Sequence, residues 1–193
     1  MKKHWGLMTL GVVALFAMPI AGQATSIVSG GNTNATVSIV DGDGDIELTT
    51  APSIDFGSVK ATAGSTTITA TSVNDPITVT NSGKTSGWNV TVNGDGFKDG
   101  SGEIDLGATL HLDNGTPTPV DSTNISTAPT APAKLAVDGS GTDVNAFTAQ
   151  TKAGVGDWTD VFSTSNVTLD IPAGATPNDY STNLTWTLTN APA

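Results

Sequence analysis

The sequence predicts an all-β protein, a sandwich or barrel-like domain of many short antiparallel strands joined by long loops rich in glycine, proline and threonine. Short runs of alternating apolar and polar residues recur along the chain, and clusters of Gly, Pro, Asn and Asp separate them. A helical period is scarcely present. Period-2 alternation indicates strands with one buried face, and many such strands between turn clusters are typical of a sandwich or barrel.

The first 24 residues are predicted to be a secretory signal peptide. Lys2 and Lys3 form a basic start, an almost wholly apolar run follows from Trp5 to Met18, and small residues precede a cleavage site after Ala24. The apolar run is shorter than the roughly 20 residues that a membrane-spanning helix needs. We therefore expect a secreted protein.

The mature chain is expected to begin with a flexible polar segment over residues 25–35 and to continue as one domain over residues 36–193. Residues 116–133 are rich in Pro, Ser and Thr and are expected to form a long exposed loop, and residues 145–162 are the one region where a short helical turn is expected. Candidate strands lie at residues 36–40, 46–50, 67–71, 77–80, 88–93, 108–112, 134–138, 167–171 and 184–189.

Charge excludes several functions. Arginine is absent, and removal of the signal peptide would leave five lysines against 18 acidic residues, a net charge of about −13. A surface of that sign repels nucleic acids and anionic membranes. Cysteine is also absent, so an exported domain of this kind must be held by packing and strand pairing, which favours a Gram-positive bacterium as its source.

The clearest strand carries a motif that identifies a family. Residues 180–192 read YSTNLTWTLTNAP, which resembles the pattern YxxxLTWxLxxxP of the WxL domain, a domain of surface proteins in low-GC Gram-positive bacteria. Every fixed position is filled, by Tyr180, Leu184, Thr185, Trp186, Leu188 and Pro192.

Other stretches extend the resemblance over about residues 36–192. They are IDFGSV at 54–59, the pair Gly87 and Trp88, DLGATLHL at 105–112 and DIPAG at 170–174. Two departures stand out. Val90 occupies a position where the family often has leucine, and the turn NSGKTSG offers Lys84 where the family often has a turn with Asp and Arg. Lysine does not replicate the bidentate contacts of arginine.

The resemblance implies a small, non-enzymatic WxL surface protein that attaches non-covalently to peptidoglycan. It implies that the two tryptophan motifs form the binding site, with Trp88 and Val90 joining the six motif residues. It also implies partners: other WxL proteins and membrane-anchored proteins that carry a peptidoglycan-binding domain. The alternative is a structural or adhesin-type subunit whose main partner is another protein, bound through exposed strand edges.

Two interpretations of the tryptophans stay open. Alternation places Trp186 on the same face as Leu184 and Leu188, where a sandwich keeps its core. A tryptophan on a surface would instead cover the apolar face of a sugar and donate a hydrogen bond from its N–H group.

Neither a cofactor nor a catalytic residue is expected. The acidic run DGDGDIE at 41–47 fails the EF-hand pattern at its sixth and twelfth positions, so we expect a hairpin turn with solvated carboxylates. A weak divalent site at Asp41, Asp43 and Asp45 is the alternative. His111 is the only histidine outside the signal peptide, and its alternation with Leu110 and Leu112 predicts that it faces solvent.

Overall fold

A computed structural model describes residues 35–103 and 105–193. The chain divides into two units, Met1–Ser38 and Ile39–Ala193, and every strand described below belongs to the second unit. The predicted signal peptide and most of the predicted flexible segment lie outside the described residues.

The described residues form fifteen short strands and one 3-10 helix. They are β1 Ile46–Thr50, β2 Ser53–Asp55, β3 Thr66–Thr69, β4 Ser72–Asn74, β5 Ile77–Asn81, β6 Trp88–Gly94, β7 Lys98–Asp99, β8 Thr109–Leu112, β9 Thr116–Pro119, β10 Ala136–Val137, β11 Val144–Ala149, β12 Gly156–Val161, the 3-10 helix Thr164–Asn166, β13 Val167–Ile171, β14 Tyr180–Ser181 and β15 Leu184–Thr189.

The strands form three larger antiparallel sheets and two strand pairs. Sheet I has the order β1-β5-β12-β9, sheet II the order β10-β8-β13-β3, and sheet III the order β11-β6-β15. The pairs are β14 with β7 and β2 with β4. The predicted all-β class of many short antiparallel strands is confirmed, and the sheets of the described residues do not close into a barrel.

The core is built from alternating side chains of several strands. In β6, Trp88, Val90 and Val92 are fully buried while the residues between them are half-buried. Ile77 and Val79 of β5 follow the same pattern in sheet I. Burying a Val, Leu or Ile side chain stabilises a fold by roughly 1.5–3 kcal/mol, so this alternation holds the sheets together in a chain without disulfides.

The strand expected at residues 36–40 is wrong. These residues carry no regular secondary structure and pair with no described strand, and Val37, Ile39 and Val40 are exposed. Residues 41–47 consequently do not join two strands as a hairpin turn within the described part of the chain. Gly42 instead lies against the turn after β5, where an added Cβ would overlap the Ser82 carbonyl oxygen. The acidic side chains Asp41, Asp43 and Asp45 are exposed, as expected.

The short helical turn predicted within residues 145–162 is also wrong. Strands β11 and β12 occupy this region, and the 3-10 helix begins only after it. A bulge between Asn145 and Phe147 breaks the alternation of β11, which buries Ala146 and Phe147 in succession. In β12, Asp160 occupies a core position, so the apolar alternation that would indicate a strand is interrupted.

The expected loop over residues 116–133 begins with a strand. Pro117 and Pro119 of β9 lack a backbone N–H group and cannot donate to a neighbouring strand. Strand β9 forms the edge of sheet I and pairs only with β12. Proline is tolerated on an edge strand because its missing donor can face away from the sheet. The rest of this region carries no strand.

Candidate functional site

The two tryptophan-led strands are neighbours in sheet III. Strand β15 pairs antiparallel with β6, so that Trp186 lies opposite Val92 and Leu188 lies opposite Val90. Trp88 lies four residues before Val92, which separates the two tryptophans by about 13 Å along the strand direction. The two side chains therefore lie on the same face of the sheet without contacting each other.

Trp88 and Val90 belong to the core. Trp88 is 0% exposed, its ring stands edge-on to Phe147 with the ring centres 4.9 Å apart, and its Nε1 donates a hydrogen bond to the Gly154 carbonyl at 3.0 Å. Gly154 adopts a φ of +63°, and a Cβ there would overlap the Trp88 indole. These two residues therefore shape the sheet from inside.

The turn between β5 and β6 is shaped by Asn81. Its Nδ2 donates to the carbonyls of Gly154 and Lys84, and its Oδ1 accepts from the backbone N–H of Lys84 at 2.8 Å. Asn81 is 2% exposed. This buried amide holds the turn beside the Trp88 hydrogen bond and does so with no contribution from the Lys84 side chain.

Trp186 occupies a different environment. It is half-buried, as are Leu184 and Leu188 on the same face, while Thr185 and Thr187 are exposed. The indole lines a groove of about 770 Å³. This open concave site brings together segments far apart in the sequence.

The groove is lined by most of the stretches that resemble the WxL domain. Apolar and aromatic side chains from six segments line it: Ile54, Phe56, Ile68, Phe97, Leu106, Leu110, Ile171, Pro172, Tyr180, Leu184 and Trp186. Polar groups at the same site include Asp55, Lys60, Asn178, Asp179 and Thr182. Such a combination of an apolar lining with a few polar groups is typical of small-molecule sites.

Tyr180 is fixed at the groove by its own segment. Its hydroxyl group donates to the Thr176 carbonyl oxygen at 3.0 Å and lies 2.9 Å from the Thr176 Oγ1. Strand β14 pairs with β7, which places Tyr180 opposite Asp99. Pro192 lies outside the strands and is half-buried.

Sequence reasoning missed several groove residues. Phe97 lies in the polar run NGDGFKDG and belongs to no alternating pattern. Phe56 and Leu106 lie in the stretches IDFGSV and DLGATLHL, which resemble the family but were not predicted to be site residues. A lone aromatic residue in a glycine-rich polar run is the signal that could have identified Phe97.

His111 and Asp170 form a hydrogen bond on sheet II away from the core. The His111 Nε2 lies 3.1 Å from the Asp170 Oδ2, and the histidine side chain is 26% exposed. A hydrogen bond from the Thr67 hydroxyl lowers the pKa of Asp170, and His111 lowers it further. His111 thus reaches the surface, as expected, but with a partner.

In the part of the chain that the structure describes, no group of three or more His, Asp or Glu side chains is placed to hold a metal ion. No described helix is long and apolar enough to cross a membrane. The weak divalent site at Asp41, Asp43 and Asp45 stays a prediction.

Comparison with known proteins gives one result. No curated protein and no solved structure gives a significant match. The sequence model of one family, described as "WxL domain surface cell wall-binding", matches residues 30–192, which include all fifteen strands and every groove residue. The chain therefore belongs to the WxL family of surface cell wall-binding domains, which is not a family of enzymes.

Proposed function

We propose that this protein attaches non-covalently to peptidoglycan at the surface of a Gram-positive cell, and that the groove beside Trp186 is its binding site. The observation that carries the proposal is the position of Trp186, half-exposed at an apolar groove built from most of the family-like stretches. Secretion after signal-peptide cleavage is part of the same proposal.

The chemistry of the groove suits the glycan strand of peptidoglycan. Trp186, Phe56 and Phe97 offer flat apolar surfaces for sugar C–H groups, and the hydroxyl and amide groups nearby offer hydrogen bonds. A volume of about 770 Å³ falls in the range of roughly 300–1,000 Å³ for ligand sites. A neutral N-acetylated sugar also avoids the repulsion that a phosphate would meet on a chain of net charge −11.

The proposal divides the predicted site residues into two roles. Tyr180, Leu184 and Trp186 line the groove and would contact the ligand. Val90 and Leu188 lie opposite each other and hold β6 against β15, and Trp88 packs on the β11 side, opposite Ala149 and against Phe147. Thr185 and Pro192 do not line the groove, so we assign them to the edge and the end of the strand segment.

Protein partners form the second candidate function. Other WxL proteins and membrane-anchored proteins with a peptidoglycan-binding domain are proposed as partners in a surface complex. The open edge of β15 supports a structural or adhesin-type role, because an exposed strand edge can accept a further strand.

The test compares two tryptophan variants in wall binding and in thermal melts. Trp186→Phe is expected to weaken sedimentation with peptidoglycan stripped of proteins by about five- to tenfold, because the smaller ring loses stacking area and the N–H donor. Trp88→Phe is the matched control, since its indole is buried and lies outside the groove. It is expected to lower the melting temperature and to leave the affinity of the folded protein unchanged.

Two outcomes would reject this proposal. One is equal loss of binding in both variants in proportion to their loss of stability. The other is wild-type protein that stays in the supernatant with stripped peptidoglycan but is captured by a surface partner, which would favour the second candidate function.

A further inference from the structure

Residues 36–40, here called the donor segment, have the composition of a strand but pair with none of the described strands. Their sequence is TVSIV, and they adopt no regular secondary structure. Val37 is 85% exposed, Ile39 90% and Val40 81%. These are three of the seven large hydrophobic residues that are exposed in the described chain, so apolar surface is concentrated here. β-branched residues in an extended run favour pairing with a sheet.

The outer edge of β15 is free to pair with a further strand, as far as the described residues show. Strand β15 has six residues, pairs only with β6 among the described strands, and contains neither a charged residue nor a proline. Strand β1 comes near β15 without hydrogen-bonding to it. Proteins usually protect such edges with charges, prolines or very short strands.

The other sheet edges have that protection. Strand β9 carries Pro117 and Pro119, β1 carries Glu47, and β10 has two residues. Strand β11 exchanges two backbone hydrogen bonds with Thr130 through Thr148, at 2.7 and 2.9 Å. Strand β3 offers only four residues. The edge of β15 is therefore the longest one left open.

The donor segment and β15 match in pattern and in charge. Val37 and Ile39 alternate with hydroxyl residues, as Trp186 and Leu188 alternate with threonines. Pairing in that register would extend the apolar face of sheet III on one side and a row of hydroxyl groups on the other. Both segments are uncharged, which matters because the net charge of −11 otherwise opposes association between copies.

We propose that the donor segment of one copy of this protein adds as a further strand to the edge of β15 in a second copy. The contact joins two different surfaces, so it continues into a closed ring or an open chain of subunits unless two copies exchange their segments reciprocally. The inference does not rest on peptidoglycan binding, because the acceptor is the backbone edge of β15 and the proposed ligand site is the groove.

Disulfide trapping tests the contact directly, since the natural chain has no cysteine. Ser38→Cys and Thr187→Cys are made in separate copies of the full chain, purified as the cell secretes it, and the two are mixed under mild oxidation. Both positions are exposed, on the hydroxyl faces of the two segments. Thr118→Cys, on the proline-protected edge strand β9, is the control partner.

The proposal expects a Ser38→Cys with Thr187→Cys heterodimer, formed several-fold faster than the pair with Thr118→Cys. It also expects wild-type protein to show a concentration-dependent mass in sedimentation, which Ile39→Asp abolishes and Ile125→Asp, a change of another fully exposed residue, preserves. Equal trapping with both partners, monomer at every concentration, or trapping only within a chain that carries both cysteines would overturn it.

Discussion

Asp160 is a carboxylate in the core of sheet I. It is 0% exposed, lies opposite Ile77 of β5 and Pro117 of β9, and neither of its carboxylate oxygens has a hydrogen-bond partner among the described residues. A methyl group on Gly115 would overlap the carboxylate, so the site is also tightly packed. Burial raises the pKa of Asp160 from 3.8 to about 7. The protonated side chain is therefore the form that suits the fold.

This raised pKa predicts a stability that falls as pH rises. Between the ordinary value of 3.8 and about 7 the native state binds a proton that the unfolded state lacks, so the free energy of unfolding decreases with pH across that window. The full penalty above it is roughly 4 kcal/mol, by about 1.36 kcal/mol per pKa unit. Thermal melts from pH 5 to 8 should show a falling melting temperature.

Asp160→Asn supplies the control for that measurement. The variant keeps the shape of the side chain without a titratable group, so it should be more stable than wild type at pH 8 and should lose the dependence of its melting temperature between pH 5 and 8. A variant as sensitive to pH as wild type would mean that other groups cause the slope.

At the scale of elements, hydrogen bonds to Asp113 fix the chain that leads into β10. The Asp113 carboxylate accepts from the Leu135 backbone N–H at 3.0 Å and from the Lys134 Nζ at 2.8 Å. Its burial raises its pKa, but the hydrogen bonds from Lys134 and Leu135 outweigh that effect and lower it. The carboxylate is mostly buried, whereas the Lys134 side chain is 84% exposed.

The two partners should therefore differ in their contribution to stability. Asp113→Ala is expected to cost roughly 1–3 kcal/mol, because it leaves the Leu135 N–H without its acceptor. Lys134→Met is expected to cost less than about 1 kcal/mol, as exposed ion pairs generally contribute little. Urea denaturation of both variants measures the difference, and equal costs would show that the ion pair and not the backbone contact fixes this segment.

The elements that the sequence predicted well are those with unbroken alternation. Strands β1, β6, β13 and β15 were found at or near their bounds because one face of each alternates with the other. Strands β11 and β12 were missed because a bulge and the buried Asp160 interrupt that pattern. Residues 36–40 alternate and are still unpaired, because alternation gives the preference for a strand and not the presence of a partner.

The candidate site was only partly accessible from the sequence. The motif at 180–192 predicted Tyr180 and Trp186 as binding residues. The family resemblance predicted Trp88 as a binding residue as well, but Trp88 is buried. The aromatic lining depends on the packing of β2, β14 and the loops that hold Phe56 and Phe97. No local sequence pattern predicts that these distant segments pack together.

At the scale of the whole molecule, the acidic surface opposes approach to a cell wall that carries anionic polymers. Protonation of carboxylates reduces the repulsion, and divalent cations screen it. We expect tighter association with intact walls near pH 4 to 5, which is close to the ordinary pKa values of Asp and Glu side chains, than at pH 7. We expect a similar gain with calcium at millimolar concentration. Sedimentation with walls at low salt measures this, and stripped peptidoglycan should show a smaller change.

An association with intact walls that is indifferent to pH between 4 and 7 at low salt would contradict this electrostatic account. The four carboxylates whose pKa is lowered, Asp113, Asp121, Asp138 and Asp170, keep their charge further into acid. These four carboxylates therefore contribute less to the change between pH 7 and pH 4.

We propose that the groove beside Trp186 binds the wall glycan. Chemical-shift mapping tests this binding most directly. Isotope-labelled protein is titrated with a purified soluble glycan fragment of peptidoglycan while the backbone amide signals are followed by NMR. We predict shifts confined to the groove segments, residues 54–60 and 180–186, together with Phe97 and the Trp186 indole N–H. Shifts confined to sheet I or to the exposed threonines of β15, with the groove signals unmoved at saturating fragment, would contradict it.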